Sequence, residues 1–387
     1  MLKAGRFFRL NIMALLDLIT TYHRPLAAVG IFSVIYYILS SIYLRWQQYQ
    51  LARANRCEPV VGKIPTYDPL FGLDRIYRVH QLAQERTILH NSAKRFEDLG
   101  NTHRGQRFAT PIVLTIEPQN VKTVLSLKFG DFSMGDRLQT FGPLLGHGIF
   151  TSDGEDWARS RQMVRPNFVK DQVAHLEVFE EMMEDLFALI PGDGRTVDLQ
   201  DLFFSFTIDS ATEFLTGHNV HSLKKRRAGE VNDGLDFAKA FDYALADIAT
   251  NNRFGPLMFL NRDAKAVEAR RVCREMVDQF VDKAMEMRNE KSDETSERRY
   301  MFLYGLAQHT DDRSRIRDEL MNLLLAGRDT TASLLGGMFF MLAKHQNAWA
   351  KLQAEIATLD GKPPTFEQLQ GLKYVRYCIN ESKFPFI

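Results

Sequence analysis

The sequence predicts a mainly α-helical fold with a small β portion, preceded by an N-terminal membrane-spanning helix. Three observations predict it. Apolar residues recur at helical spacing through most of the chain beyond Pro118, with breaker clusters between the runs. One short β-rich run, PIVLTI at 111–116, stands apart from them. The run Leu26–Leu44 carries no charged residue. The composition suits a globular protein with a large core: 387 residues, 45% hydrophobic and 25% charged.

The apolar run comes first. As a helix it would be about 28 Å long at about 1.5 Å per residue, close to the hydrocarbon thickness of a bilayer. Arg24 and Arg45 bracket it, and Tyr36, Tyr37, Tyr43 and Trp46 suit an interface. A secretory signal would have a shorter apolar core ending at small residues, whereas here Tyr43, Arg45 and Trp46 follow. Residues 1–50 are therefore expected to form a membrane anchor, spanning about 26–44. Residues 51–69, with Pro59, Gly62, Pro65 and Pro69, read as a stiff linker. The globular part is expected from 70 to 387.

Within it, Arg107–Ile116 reads as a strand ended by Glu117-Pro118, and Pro118 sits where a helix starts. Helices are expected over Asp171–Leu189, Asp198–Leu215 with Asp198 as N-cap, Ala264–Arg288 and Ile316–Lys344. The last is hydrophobic nearly all round and should run through the core. Asn289–Arg299 and the basic run Lys224-Lys225-Arg226-Arg227 read as solvated loops.

Several function classes fall away. A net charge of +1 gives no basic field for nucleic acid. The three cysteines, Cys57, Cys273 and Cys378, are far apart, so neither a disulfide framework nor a zinc knuckle follows. No HExxH, GxSxG or Walker loop occurs, and Gly146-His147-Gly148 lacks the third glycine of a dinucleotide fingerprint.

The informative stretch lies inside the predicted core helix: Ala326-Gly327-Arg328-Asp329-Thr330-Thr331. A glycine in a helix interior costs about 1 kcal/mol relative to alanine. A threonine pair adds to that, and Asp329 puts a carboxylate where the helix asks for burial. Such a concentration of unfavourable choices points to a site. The alternative is structural: close helix packing at Gly327 and threonines bonding back to carbonyls. Upstream, Trp157 and Arg161 stand four residues apart, on one helix face.

AGRDTT resembles the oxygen-binding motif of the cytochrome P450 monooxygenases, and Trp157-x-x-x-Arg161 resembles that family's contact to a haem propionate. The stretches FGPLLGHGIFTSDGEDWARSRQMVRPNF and AWAKL at 348–352 are similar to the fungal alkane and fatty-acid hydroxylase branch. The resemblance runs from about Leu70 to Glu381. It implies a cytochrome P450 fold, a haem cofactor, and insertion of one oxygen atom from O2 into an unactivated C–H bond. It implies that Ala326 and Gly327 face the haem, that Thr330 hydrogen-bonds the oxygen and that Asp329 delivers protons, with Trp157 and Arg161 on a propionate. It also implies an apolar pocket lined by Phe141, Leu144, Leu145, Phe237, Phe241 and Leu245, and electrons from NADPH through a separate reductase. Placement in the endoplasmic reticulum membrane, globular part in the cytosol, is the corresponding expectation.

The pattern breaks near the end. The family's Glu-x-x-Arg begins at Glu381, but position 384 is Phe. The haem loop Phe-x-x-Gly-x-Arg-x-Cys-x-Gly has no match, and none of the three cysteines has its context, so no metal ligand is assigned. The chain is expected to be a truncated or mis-spliced member, inactive as it stands. The rival reading is a non-catalytic, membrane-tethered helical remnant.

Overall fold

The computed structural model describes residues 31–33, 35–55, 57–68, 72–107, 110–168, 176–230, 235–289 and 302–382. The chain divides into two units, Met1–Gly62 and Lys63–Ile387.

In the first unit the described residues of 31–54 form one helix, α1. Its large apolar side chains, among them Ile31, Phe32, Ile35, Leu39, Ile42 and Leu51, are exposed. Among the described residues no helix is long and apolar enough to cross a membrane. The expected span begins at Leu26, and residues 26–30 and 34 lie outside those described. The anchor–linker boundary at 50 also moves. Nothing between Arg45 and Asn55 breaks a helix, so α1 runs on through Gln47, Gln48, Gln50 and Arg53, which make its second half polar.

The second unit is mainly helical. Its helices are α2 (Leu73–Gln84), α3 (Ile88–Leu99), α4 (Pro118–Lys122), α5 (Arg137–Leu145), α6 (Gly154–Val164), α7 (Glu177–Ala188), α8 (Leu199–Thr216) and α9 (Ser222–Arg227). They continue with α10 (Phe237–Phe254), α11 (Ala264–Asn289), α12 (Phe302–His309), α13 (Arg313–Lys344), α14 (Gln346–Ile356), α15 (Phe366–Gly371) and α16 (Lys373–Glu381). A small sheet has the order β1 (Gly62–Lys63), β2 (Thr102–Arg107), β3 (Thr110–Thr115). β2 and β3 pair antiparallel, from Thr102 opposite Thr115 to Arg107 opposite Thr110. The expected strand is β3. Its partner β2, sequence THRGQR, carries no apolar alternation and escapes a pattern search. Part of the expected linker also joins the fold: Ile64 is buried and its N–H donates to the Arg104 carbonyl at 2.9 Å.

The long helices start where side-chain caps allow. Asp198 accepts from the N–H groups of Gln200 and Asp201, Asp236 from that of Lys239, and Asp312 from that of Arg315. Gly217, at φ 70°, closes α8 in the left-handed region. Residues 171–175 of the predicted Asp171 helix and 290–301 of the predicted loop lie outside the described residues; α7 and α11 account for the remainder. The basic run is a correction. Lys224–Arg227 belong to α9, where Arg226 pairs with Asp201 and donates to Ser205, and Arg227 pairs with Asp185. Those carboxylates on α7 and α8 fold the run against the domain.

The core joins α5, α8, α10, α11, α12 and α13, with Phe241, Phe302, Ile316, Leu320 and Leu324 fully buried. α13 runs along α8 through this core, as its apolar sequence predicts.

Candidate active site

The first three turns of α13 depart from an all-apolar core helix. Asp318, Glu319 and Asn322 are buried there and all face the loop between α5 and α6. The Asp318 carboxylate accepts the His147 N–H at 2.8 Å, Glu319 that of Ile149 at 3.1 Å, and the Asn322 amide oxygen that of Phe150 at 3.0 Å. Asn322 Nδ2 returns a bond to the Leu145 carbonyl at 3.0 Å. Three loop N–H groups are met from one helix face, which satisfies backbone groups that burial would otherwise leave unpaired. The two glycines of the loop explain themselves. A Cβ on Gly146 would lie 2.0 Å from Asp318 Cγ, and one on Gly148 would lie 2.3 Å from Asn322 Nδ2. Burial raises the Glu319 carboxyl above the ordinary range, against the pull of Ser160, Arg315 and the Ile149 N–H.

The loop leads directly into α6, whose Trp157 and Arg161 lie side by side. The guanidinium sits 5.6 Å from the indole centroid, and Phe129 packs on the other ring contact at 5.1 Å. Trp157 is half-buried and Arg161 exposed. α6 is tied to α13 as well, through Arg315, which bonds Ser160 and pairs with Glu319 at 3.2 Å.

Two turns further along α13 lies the AGRDTT segment. Gly327, Thr330 and Thr331 are exposed and Ala326 is half-buried, on a helix whose neighbouring turns are core. Thr330 donates its hydroxyl hydrogen to the Ala326 carbonyl at 2.6 Å, so what it offers outward is a lone pair. A Cβ on Gly327 would stand 3.4 Å from that of Ala211 on α8. Of the two structural reasons weighed for this segment, the back-bonded threonine is present in the fold, whereas a Cβ at Gly327 would make only ordinary van der Waals contact. Arg328 is the buried member. It pairs with Asp329 at 2.7 Å and with Asp242 of α10, and its guanidinium lies 4.6 Å from the centroid of Phe204 and 5.7 Å from that of Phe241. Asp329 thus has one oxygen fixed by its own neighbour, while its side chain stays 37% exposed.

The apolar candidates lie in one cluster. Leu144, Leu145, Phe237 and Phe241 are buried in the main core, and Phe141 and Leu245 pack against it half-buried. Arg137 covers the Phe141 ring at 5.0 Å, and the Phe237 and Phe241 rings meet tilted, with centroids 5.9 Å apart.

A cytochrome P450 family model matches residues 69–382. The chain belongs to the cytochrome P450 family. It is 48% identical over 333 residues to cytochrome P450 monooxygenase himC of Aspergillus japonicus, covering 84% of this chain and 59% of that protein. It is 42% identical to cytochrome P450 monooxygenase fsdH of Fusarium heterosporum, covering 90% of this chain and 63% of that one. It is 38% identical to cytochrome P450 52A13 of Debaryomyces hansenii, over 80% of this chain and 63% of that protein. The fold is similar to the crystal structure of the cytochrome P450DA haem domain, with a TM-score of 0.62 at 19% identity over 84% of this chain and 70% of that one. The chain spans about three-fifths of the length of the curated relatives it matches.

P450s use haem iron, and the residues described here fit part of that group. An indole and a guanidinium side by side suit a propionate edge. The bared face of α13 at Gly327 and Thr330 suits a distal side. The cysteines do not fit the axial bond. Cys273 is fully buried and burial pushes its thiol up to about 12, far from a thiolate at neutral pH. Burial raises the Cys378 thiol too, and Cys57 is exposed on the chain after α1. Glu381 is the exposed last residue of α16, and position 384 lies outside the described residues.

Sequence reasoning missed Asp318, Glu319 and Asn322, and it passed over Arg328. The signal was available: polar residues at i, i+1 and i+4 of an apolar helix, opposite a loop holding Gly-x-Gly.

Proposed function

We propose that this P450 is a haem-dependent monooxygenase that hydroxylates long-chain alkanes or fatty acids. The observation that carries the reading is the α13 segment. There a core helix bares Gly327 and Thr330, and its carboxylate, Asp329, is clamped by a buried arginine. Haem, when bound, supplies the iron at which O2 is activated. The chain's own residues do the rest. Trp157 and Arg161 hold the carboxylate edge of the cofactor, with Ala326 and Gly327 against its distal face. Asp329 keeps Oδ1 on Arg328 and leaves Oδ2 to carry a proton inward, as a general acid within hydrogen-bond reach would. Thr330, its hydrogen committed to Ala326, accepts from that donor and orders it. The core packed around Phe141, Leu144, Leu145, Phe237, Phe241 and Leu245 excludes water from this side. Electrons from NADPH arrive through a reductase partner, as in the family generally. The exposed apolar side chains of α1 support attachment to a membrane, which we place at the endoplasmic reticulum with the catalytic unit in the cytosol. The substrate class rests on similarity to the fungal hydroxylase branch.

The rival reading, a tethered helical remnant without catalysis, is favoured by one observation: none of Cys57, Cys273 and Cys378 suits the axial bond. The deciding experiment joins residues 1–382 to the haem-loop segment of a curated relative and records the reduced, carbon-monoxide-bound spectrum. The proposal expects a red-shifted thiolate band and terminal or near-terminal hydroxylation of dodecane or dodecanoate. A fusion that folds and binds no haem supports the remnant instead. Thr330→Ala in the active fusion should lower product formed per NADPH consumed, with haem content unchanged.

A further inference from the structure

A cavity of about 410 Å³ lies among residues 64–67, α2 and α3, and none of its lining residues belongs to α6 or α13. Its wall is largely apolar, including Ile64, Pro65 and Leu82, yet Arg75 and Arg95 also line it. The Nη1 of Arg75 is buried without a hydrogen-bond partner. Arg95 spends Nη2 on Ser92 Oγ at 2.7 Å and leaves Nε buried and unpartnered. The carboxylate that lines the same cavity, Asp74, is engaged elsewhere: it accepts from Thr66 Oγ1 at 2.8 Å and from the Tyr67 N–H at 2.9 Å.

Burial of guanidinium nitrogens without partners is unfavourable, and proteins rarely keep it without a reason. Here desolvation, joined by the charge of Arg95, pulls the Arg75 group below its ordinary range, and desolvation does the same to Arg95. The backbone makes room for the arrangement. A Cβ on Gly105 of β2 would stand 2.6 Å from Arg75 Nη1 and 3.0 Å from Ile64 Cδ1. Glycine inside a strand weakens it, and close approach of another group is the usual reason for it.

We propose that this cavity binds an anionic amphiphile, a carboxylate carried on an apolar chain, with Arg75 and Arg95 taking the carboxylate and the Ile64–Leu82 wall taking the chain. The planar guanidinium of Arg75, with Nη1 unpartnered, suits a planar carboxylate, while Arg95 adds charge and a further donor. The volume falls within the range of small-molecule sites, which are mostly apolar with a few placed polar groups. The inference stands apart from the catalytic reading, because binding here needs neither haem nor turnover.

The test is calorimetric titration of the haem-free 387-residue protein with dodecanoate, dodecanol, dodecyl phosphate and inorganic phosphate. Dodecanoate should bind at least about tenfold more tightly than dodecanol, the difference a charge-assisted hydrogen bond supplies. Apolar surface elsewhere, α1 included, takes both probes alike and cannot mimic that difference. Arg75→Gln should remove the preference and leave dodecanol binding unchanged, and Arg75→Lys should keep part of it. Without ligand, Arg75→Gln should leave the melting temperature level or raise it, because a buried unpaired charge is gone. Equal binding of acid and alcohol by the parent protein would overturn the proposal. So would a tighter response to dodecyl phosphate or to inorganic phosphate, which would assign the site to phosphate. A Gln variant that melts lower without ligand makes Arg75 structural and also overturns it.

Discussion

Replacing Asn322 with leucine tests whether the polar turns of α13 hold the loop that presents α6. Leucine has nearly the volume of asparagine plus a methyl group and keeps the helix. The amide of Asn322 accepts from Phe150 N–H at 3.0 Å and donates to the carbonyls of Leu145 at 3.0 Å and Asp318 at 2.7 Å. Asp318 O keeps its helical partner. The Phe150 N–H and the Leu145 carbonyl lose theirs, and each stranded group costs about 1–3 kcal/mol. Leucine recovers some of this by burying apolar surface, at about 25 cal/mol per Å². The expected loss is about 2–4 kcal/mol of unfolding free energy, read as a fall in the urea midpoint with little change in slope. Near-ultraviolet circular dichroism should also change, because Trp157 lies on the helix the loop feeds. Asn347→Leu, on the exposed start of α14, serves as control and should stay within about 0.5 kcal/mol. If Asn322→Leu matches that control, the loop is held by its own turns, and Asp318, Glu319 and Asn322 do not position α6.

Asp209 is buried on α8, accepts the Ser222 and Leu223 N–H groups at 2.7 and 2.9 Å, and has its carboxyl pushed up by burial to about 6 from 3.8. The folded state then holds the proton more tightly than the unfolded one, so stability is greatest below pH 4 and falls as pH rises to about 6, by roughly 3 kcal/mol; Asp209→Asn should flatten that part of a denaturation profile measured against pH, and an unchanged slope would refute the assignment. Arg328→Met should cost less than about 1 kcal/mol, since Asp242 and Asp329 both keep access to water and a buried ion pair is often no better than an apolar packing; the same variant in the haem-bearing fusion should lose coupling, and full coupling would deny Arg328 its positioning role. Arg161→Met should weaken haem retention in that fusion by about tenfold or more with Arg161→Lys intermediate, as loss of a bidentate charged contact predicts, and a haem off-rate indifferent to both would remove the propionate assignment.

Much of the fold was legible because its helices are long, capped and periodic. Asp198 marks the start of α8 and Gly217 its end, each by a local mechanism that needs no tertiary information, whereas the apolar pattern places the start of α13 at Ile316, inside the helix that Asp312 caps. β2 was not legible. Its side chains THRGQR are specified by their partners, as in the contact between Thr102 and Thr115 hydroxyls at 2.8 Å and the tilted contact of the His103 ring with Phe96 at 4.6 Å, and such pairings leave no period in the sequence. The basic run was misjudged for the same reason, since Asp185 and Asp201 that receive it are remote in sequence. Helix α1 shows the reverse case. Its charge-free run is plain in the sequence, but the polar continuation to residue 54 changes the element the run belongs to.

The site was legible as residue types and not as geometry. Asp329 and Thr330 stand out as polar choices in an apolar helix, while Trp157 and Arg161 and the roles of all four were named from the resemblance to the P450 family. Their arrangement depends on α13 acting twice. Its first turns grip the α5–α6 loop and, through Arg315, α6 itself. Two turns on, it carries AGRDTT and anchors α10 through Arg328 and Asp242. One rigid helix therefore sets both the paired indole and guanidinium and the bared glycine and threonine. A displacement of either set relative to the other would require breaking bonds from a fully buried carboxylate or amide, which is costly. That is a physical reason for polar side chains in the first half of this core helix. An all-apolar sequence would pack as well, but it would leave the register between α6 and the AGRDTT turn to shape alone.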